Sequence, residues 1–482
     1  MDKFYITTSI PYMNAGPHIG HALEFVQADV LARRHRAKGD DVFFLTGADE
    51  HGVKIARTAE KSGKTPKQLV DENSSKFKKL AEILDISNDD FIRTSDQERH
   101  WPGAQKLWSA LVDSGDIYKK AYRGLYCAGH EAFVAEKDLI GGVCAIHKTK
   151  PEIIEEENYF FRLSKYSEEI KSKIENEELR IFPVSRKNEI LSLINEGLED
   201  VSFSRPSKDL NWGIPVPGDD SQTIYVWCDA LSNYITALGY GQDSGKRQAA
   251  SGMFKKYWPA DIHVIGKDIL RFHAAIWPGM LLAAKLPLPK TIWAHGFITA
   301  GGEKMSKSLG NLVDPFEIIG KYGVDALRYY LLREIPSGED GEFTYEKFEE
   351  RYNADLAKGL GNLASRVLTL AAKSDISLEP KIFETVIADA DKNIGESLKD
   401  FKFSDALYGI WRIIAAGDKY VDDKKPWTLS PDSDEYKKIV GALLYLVSEI
   451  GKLVAPFLPD TSDKIAEAVE SKKSIALFPR LR

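Results

Sequence analysis

Only three cysteines occur among the 482 residues, Cys127, Cys144 and Cys228. Three is too few, and too odd a number, for a disulfide framework in a chain of this size, so a reducing compartment is expected. No apolar run approaches the ~20 residues of a membrane span. The chain begins Asp2-Lys3-Phe4-Tyr5-Ile6, a strand-like start without the features of a signal or transit peptide, and a cytoplasmic location without membrane contact is expected. Positive charge is not in excess either. Lys plus Arg total 65 against 72 Asp plus Glu, and the net charge of -7 excludes a chain-wide electrostatic grip on nucleic acid, so any RNA contact is local. Two common motifs are missing, a Gly-x-Gly-x-x-Gly after the first strand and a His-Glu-x-x-His helix, which removes the usual dinucleotide oxidoreductase and zinc-protease readings. Ser62-Gly63-Lys64-Thr65 imitates the end of a phosphate loop, but Thr58 stands where that loop needs its first glycine.

What the chain does have is core material: 43% apolar residues, with 9 Trp, 20 Tyr and 22 Phe. At roughly 150 residues per domain, the length suggests about three domains. The opening reads as a βαβ unit. Strand-like Phe4-Tyr5-Ile6-Thr7-Thr8 leads to a helix from about Gly20 to Lys38, with Ala22, Val26 and Val30 on one face, and then to a strand Val42-Phe43-Phe44-Leu45-Thr46. Continuous apolar strands of this kind suit a parallel sheet covered on both faces, whose ligands bind beyond the carboxyl ends of the strands. Two further strands, Ile262 to Gly266 and Thr291 to His295, imply that the sheet resumes after an insertion. From about residue 356, Gly and Pro thin out and helical periodicity takes over, as in Leu360, Leu363, Ala364, Val367 and Leu368. The expected fold class is therefore α/β, a parallel-sheet domain carrying a small insertion and followed by a C-terminal α-helical bundle.

Two motifs point to polyphosphate chemistry. At the first strand-to-helix turn stands His18-Ile19-Gly20-His21, two imidazoles at a helix N-terminus with a glycine that lets a ligand approach the backbone. Far downstream comes Gly301-Gly302-Glu303-Lys304-Met305-Ser306-Lys307-Ser308, a glycine-led loop with two lysines three apart. Taken singly, each has a bland alternative: a helix cap with a core histidine, and a solvated basic loop. Together and in this order they resemble the HIGH and KMSKS signatures of class I aminoacyl-tRNA synthetases. The flanking segments Ile10-Pro11-Tyr12, Gly47-Ala48-Asp49-Glu50-His51-Gly52, Tyr225 to Tyr234 and Ile265 to His273 narrow the resemblance to the methionyl-tRNA synthetase family, with matches from residue 4 to beyond 427.

The resemblance implies a Rossmann-type catalytic domain that joins L-methionine to ATP and passes it to tRNA(Met), with Mg²⁺ accompanying ATP. On that basis His18, Gly20, His21, Lys304 and Lys307 form the ATP site, with the histidines and lysines catalytic through charge stabilisation. Asp49 is the expected partner of the methionine ammonium, with a helix N-cap as its alternative. The side-chain pocket maps onto Ile10, Tyr12, Trp227, Ala230, Leu231, Tyr234, Ile269 and His273, whose aromatic rings suit a polarisable sulfur. The family's answer to homocysteine, cyclisation of its adenylate to a thiolactone, is implied as well. Anticodon reading falls to Asn362 and Arg366, four apart on one helix face, and to Trp427, for which a packing role is the alternative.

Cys127-Ala128-Gly129-His130 and Cys144-Ala145-Ile146-His147 repeat a Cys-x-x-His spacing, and two Cys with two His suit a tetrahedral structural Zn²⁺. Histidine at the second position departs from the cysteine more usual there in single-knuckle family members, and loss of the metal is the alternative. The expected division is a catalytic domain in two halves, 1–117 and 216–310, around a connective domain with a zinc knuckle at 118–215. A stem-contact region at 311–355 and an anticodon-binding bundle at 356–482 follow. A small nucleotidylyltransferase would share His-x-Gly-His but has no use for the insertion and bundle. A silent RNA-binding paralogue would be expected to lack one of His18, His21, Lys304 or Lys307, and all four are present. Because the chain ends shortly after the bundle, without a dimerising extension, a monomer is expected.

Overall fold

The computed structural model describes residues 2–127, 132–134, 136, 139–145, 148–208, 210–242, 248–301, 303–304 and 312–481. The chain divides into two units. The first comprises Met1–Pro17, Lys38–Lys79 and Ser87–His295, and the second His18–Ala37, Leu80–Ile86 and Gly296–Arg482.

The first unit is built on a six-stranded sheet in the order Asp90–Arg93, Asp41–Ala48, Lys3–Thr8, Ile262–Gly266, Thr291–His295, Arg180–Phe182, with every pairing parallel. Residues 4–8 and 291–295 are buried throughout, as expected for strands covered on both faces. Strand order reverses at Lys3–Thr8, which pairs with the second strand on one side and with Ile262–Gly266 on the other. Open parallel sheets bind ligands beyond the carboxyl ends of their strands at such a switch point. The edge strand Arg180–Phe182 lies inside the stretch read as an insertion, yet it pairs with Thr291–Trp293. Leu163, Ile170, Ile174, Leu179, Ile190 and Ile194 join the same core as the sheet. A three-residue strand that opens on Arg180 and is followed by Pro183 has too little apolar sequence to be recognised. What stands apart is the antiparallel sheet of Ile117–Cys127 and Glu152–Phe161, flanked by Ala132–Val134 and Val201–Ser202.

The second unit is mainly helical. The helix Ile19–Ala37 is buried continuously from Ala22 to Ala32, including Glu24, Gln27 and Asp29, so burial is wider than one apolar face. The acid at Asp29 is accommodated by Arg328, also fully buried, whose Nη2 donates to Asp29 Oδ2 at 2.7 Å. The guanidinium also donates to the carbonyls of Leu84, Pro456 and Phe457, so three chain segments meet on one arginine. The bundle comprises Asn362–Ala371, Glu384–Lys399, Phe403–Lys424, Asp434–Val454 and Pro459–Ser471. Gly417 marks a close helix crossing, since a Cβ there would lie 2.6 Å from Leu446 Cδ2. Among the described residues, no helix is long and apolar enough to cross a membrane.

Candidate active site

In the first unit, Tyr12 and Asp49 come together beyond the ends of their strands. They form an isolated parallel bridge in which Met13 N donates to Asp49 O and Asp49 N to Pro11 O, each at 2.9 Å. Gly47 is required just before them, because a Cβ would lie 2.3 Å from Ile92 O and 2.8 Å from Ile10 Cγ2. Asp49 is buried, and it does not cap the next helix, Val53–Lys61, whose N-cap is Gly52. The acid is placed by backbone pairing.

Opposite in chemistry is an aromatic wall from the helices Val226–Leu231 and Asn233–Thr236 and the segment after Gly266. The Tyr234 hydroxyl lies 2.7 Å from His273 Nε2, and His273 Nδ1 lies 3.0 Å from Ile269 O. A carbonyl only accepts, so Nδ1 carries the ring proton and Nε2 accepts from the tyrosine. Burial holds the His273 pKa down to about 4, outweighing the Ile269 carbonyl and the Asp268 charge, so the ring is neutral near pH 7. Trp227 stacks on Phe272 with centroids 3.6 Å apart and stands edge-on to His273 at 6.5 Å. Ile10, Tyr12, Trp227 and Ile269 are half-buried against the cluster that contains Leu231 and Tyr234, and Ala230 is buried in the same helix as Trp227. A turn of wider π-type helix at Phe272–Ile276 presents His273.

Several polar groups of this region escape the sequence reading. His263, fully buried in its strand, bonds Thr7 Oγ1 at 2.8 Å and lies under the Tyr234 ring at 4.2 Å, and burial drives its pKa well down. Glu50, also fully buried, accepts from Ser74 Oγ at 2.5 Å, from Arg93 Nε at 2.6 Å and from Ser95. Asp229 is held by His51 and His100. An acid or histidine inside an otherwise apolar run, as at Asp229 and His263, is the available signal.

In the second unit, His18 and His21 stand at the start of the helix Ile19–Ala37 with ring centroids 3.9 Å apart. His18 Nδ1 accepts from Gly20 N, and His21 Nδ1 accepts from His18 N, both at 3.1 Å. Each ring proton therefore sits on Nε2, which makes both imidazoles hydrogen-bond donors suited to phosphate oxygens. Gly20 lets the His18 ring lie close, since a Cβ there would stand 2.9 Å from His18 Cε1 and the ring would have to shift. Lys304 belongs to the short strand Glu303–Lys304, which pairs with Ile298–Ala300. Lys307 lies outside the described residues, as do His130 and His147. Cys127 and Cys144 end the strands Ile117–Cys127 and Val143–Cys144, and both are buried thiols.

In the bundle, Asn362 and Arg366 are half-buried on the helix Asn362–Ala371. Arg366 pairs with Asp418 at 3.3 Å and Asp422 at 2.7 Å. Trp427, in the short turn Pro426–Thr428, is 52% exposed, which leaves much of its ring outside any packing.

A family model described as class I tRNA synthetases (M) matches residues 4–142 and 132–368, and one described as the anticodon binding domain of methionyl tRNA ligase matches residues 381–479. A Brucella suis protein named methionine–tRNA ligase is 44% identical over 97% of this chain and 91% of its own length. The chain belongs to the methionyl-tRNA synthetase family. A Clostridium acetobutylicum methionine–tRNA ligase is 45% identical over 96% of this chain and 72% of its own. Among solved structures, Mycobacterium tuberculosis methionyl-tRNA synthetase in complex with methionyl-adenylate aligns with a TM-score of 0.89 at 38% identity, covering 96% of this chain and 93% of that one. The free form of that enzyme aligns with a TM-score of 0.83 at 34% identity over 100% of this chain and 99% of its own.

Proposed function

We infer the roles of individual residues from an activity that family membership establishes: the chain activates L-methionine with ATP to methionyl-adenylate and pyrophosphate, then transfers methionine to the terminal adenosine of tRNA(Met). The observation that carries the residue assignment is the hydrogen-bonded, neutral Tyr234–His273 pair set in an apolar aromatic wall. Asp49 binds the ammonium of methionine, and Ile10, Tyr12, Trp227, Ala230, Leu231, Tyr234, Ile269 and His273 enclose its thioether chain. A neutral imidazole and rings suit a soft sulfur better than a charge would.

The methionine carboxylate attacks the α-phosphorus, and His18 and His21 donate Nε2–H bonds to the phosphate oxygens as charge builds in the transition state. Gly20 keeps the backbone clear for them. Lys304 and Lys307 neutralise the departing pyrophosphate, a charge that the Mg²⁺ accompanying ATP would share when bound. No covalent enzyme intermediate is needed. Asn362, Arg366 and Trp427 read the anticodon, the arginine held in place by its two aspartates and the indole exposed for base stacking.

Cys127 and Cys144 are 1% and 2% exposed and outside any disulfide, a donor pair that suits Zn²⁺. With His130 and His147 they would complete a four-ligand structural site, in which Zn²⁺ supplies a cross-link and takes no part in chemistry. Zinc analysis of purified protein should give one equivalent per chain, and a metal-free protein whose melting is indifferent to chelator would refute the site. The expected division of the chain, the cytoplasmic location and a 54.0 kDa monomer are proposed with it, and light scattering tests the last. The activity itself is tested by methionine-dependent ATP–pyrophosphate exchange, measured with and without tRNA. Exchange without tRNA is expected, and its absence would contradict the reading.

A further inference from the structure

Four buried polar side chains form a ladder within the first unit. Asp229 accepts from His51 Nδ1 at 2.6 Å on one carboxylate oxygen and from His100 Nε2 at 2.7 Å on the other. The second nitrogen of His100 lies 2.8 Å from Thr236 Oγ1. None of the four is more than 2% exposed. A carboxylate only accepts, so both imidazoles donate to it. Burial pushes the Asp229 carboxyl up, but the two imidazoles overcome this and hold it below its ordinary value.

The rungs of this ladder belong to segments already assigned to methionine. His51 follows Asp49 by two residues, and Asp229 lies between Trp227 and Ala230. Thr236 closes the helix Asn233–Thr236 that carries Tyr234, and His100 directly precedes the helix Trp101–Asp113. The same His100 ring thus grips the aromatic wall at two points, and Asp229 links that wall to the segment of the ammonium acid. None of the four residues is required by the adenylation chemistry derived above.

We propose that Asp229 is a positioning residue that sets how long an amino-acid side chain the pocket accepts, by fixing the segment of Asp49 against the wall of Trp227, Ala230, Leu231 and Tyr234. The proposal rests on the methionine-pocket reading. Its physical basis is that charge-assisted bonds buried from water are short and resist stretching. The separation between ammonium anchor and side-chain wall therefore has little play. Chain length is what an apolar pocket must measure, and one methylene is worth ~10–200-fold in discrimination only when the walls do not yield. A merely structural ion cluster would support the fold without influencing which chain length is preferred.

The test compares methionine with ethionine, one methylene longer, in amino-acid-dependent exchange by the whole chain. Asp229→Asn replaces one acceptor oxygen with a donor, so one imidazole loses its bond while the shape is kept. His51→Asn withdraws one end of the ladder and leaves His100 and Thr236 in place, which covers the case in which the first variant does not fold. In the folded variant the kcat/KM ratio of methionine to ethionine should fall by about fivefold or more, a large part of the ~10–200-fold that a methylene can contribute. An unchanged ratio overturns the proposal, whether or not the melting temperature drops. Asp49→Ala runs beside them. If it leaves the KM for methionine unaltered, the pocket reading itself fails; if it raises KM while the ratio in the ladder variants stays put, only the role of Asp229 fails.

Discussion

The wall proposed for methionine in the first unit and the set proposed for the anticodon in the second are built in opposite ways. Tyr234, His273 and Asp49 are buried and held by partners from elsewhere in the chain before any ligand arrives. Trp427 is 52% exposed, and Arg366 rests on two aspartates that water also reaches. A small, mostly apolar ligand offers few contacts, so affinity depends on a site that loses little freedom on binding. An RNA loop brings its own stacking surfaces and charge, and exposed side chains can meet them. Mutations should therefore separate cleanly: those in the wall change methionine use in both reaction steps, and those in the bundle change tRNA use alone.

The largest effect is expected at Asp49, the proposed ammonium partner. Asp49→Ala should leave a folded protein whose methionine affinity falls by ~2–5 kcal/mol, the range for losing one member of a buried charge pair. A normal methionine affinity with a lowered melting temperature would reduce Asp49 to a structural acid. Next, Lys307→Ala should slow exchange by ~10²–10³-fold with little change in the KM for methionine, because its contact strengthens as pyrophosphate leaves. Unchanged exchange kinetics would remove Lys307 from the chemistry. A smaller effect is expected on the RNA side. Trp427→Ala should reduce tRNA charging by about tenfold, in keeping with ~1–3 kcal/mol per stacked base, while exchange without tRNA stays near normal. If the ring were packing instead, exchange, charging and melting temperature would fall together.

The smallest effect concerns acid. His273 is held near 4 by burial, below the ordinary 6.5 of the unfolded chain. As pH falls from 6.5 toward 4, the unfolded chain takes up a proton at this ring before the folded chain does, so this contribution destabilises progressively across that window. Melting curves of the protein and of His273→Gln should converge in acid, with the steeper loss in the protein itself. Parallel curves would mean that the ring is already solvated.

The reach of the sequence differs between these regions for physical reasons. Strands Ile262–Gly266 and Thr291–His295 are readable because a doubly covered strand is a continuous apolar run, and the Ile19–Ala37 helix because its start and its glycine stop are marked. Arg180–Phe182 is not readable, since three residues carry no period and their place beside Thr291–Trp293 is decided by distant packing. Among site residues, those in quoted motifs can be named from local sequence. The ladder of His51, Asp229, His100 and Thr236 cannot, because its members are brought together only by the folded first unit. Trp227 shows the limit most plainly: nothing in its local run marks a ring that is half-buried and stacked on Phe272, a segment 45 residues away.

The central claim, that one unit holds the amino-acid site and the other reads the tRNA, is tested most directly by measuring exchange without tRNA and charging of tRNA on Asp49→Ala and Trp427→Ala side by side. The account predicts that Asp49→Ala loses both activities at ordinary methionine concentrations and recovers both when methionine is raised, whereas Trp427→Ala keeps exchange and loses charging. Exchange lost in Trp427→Ala, or retained at low methionine in Asp49→Ala, would contradict it.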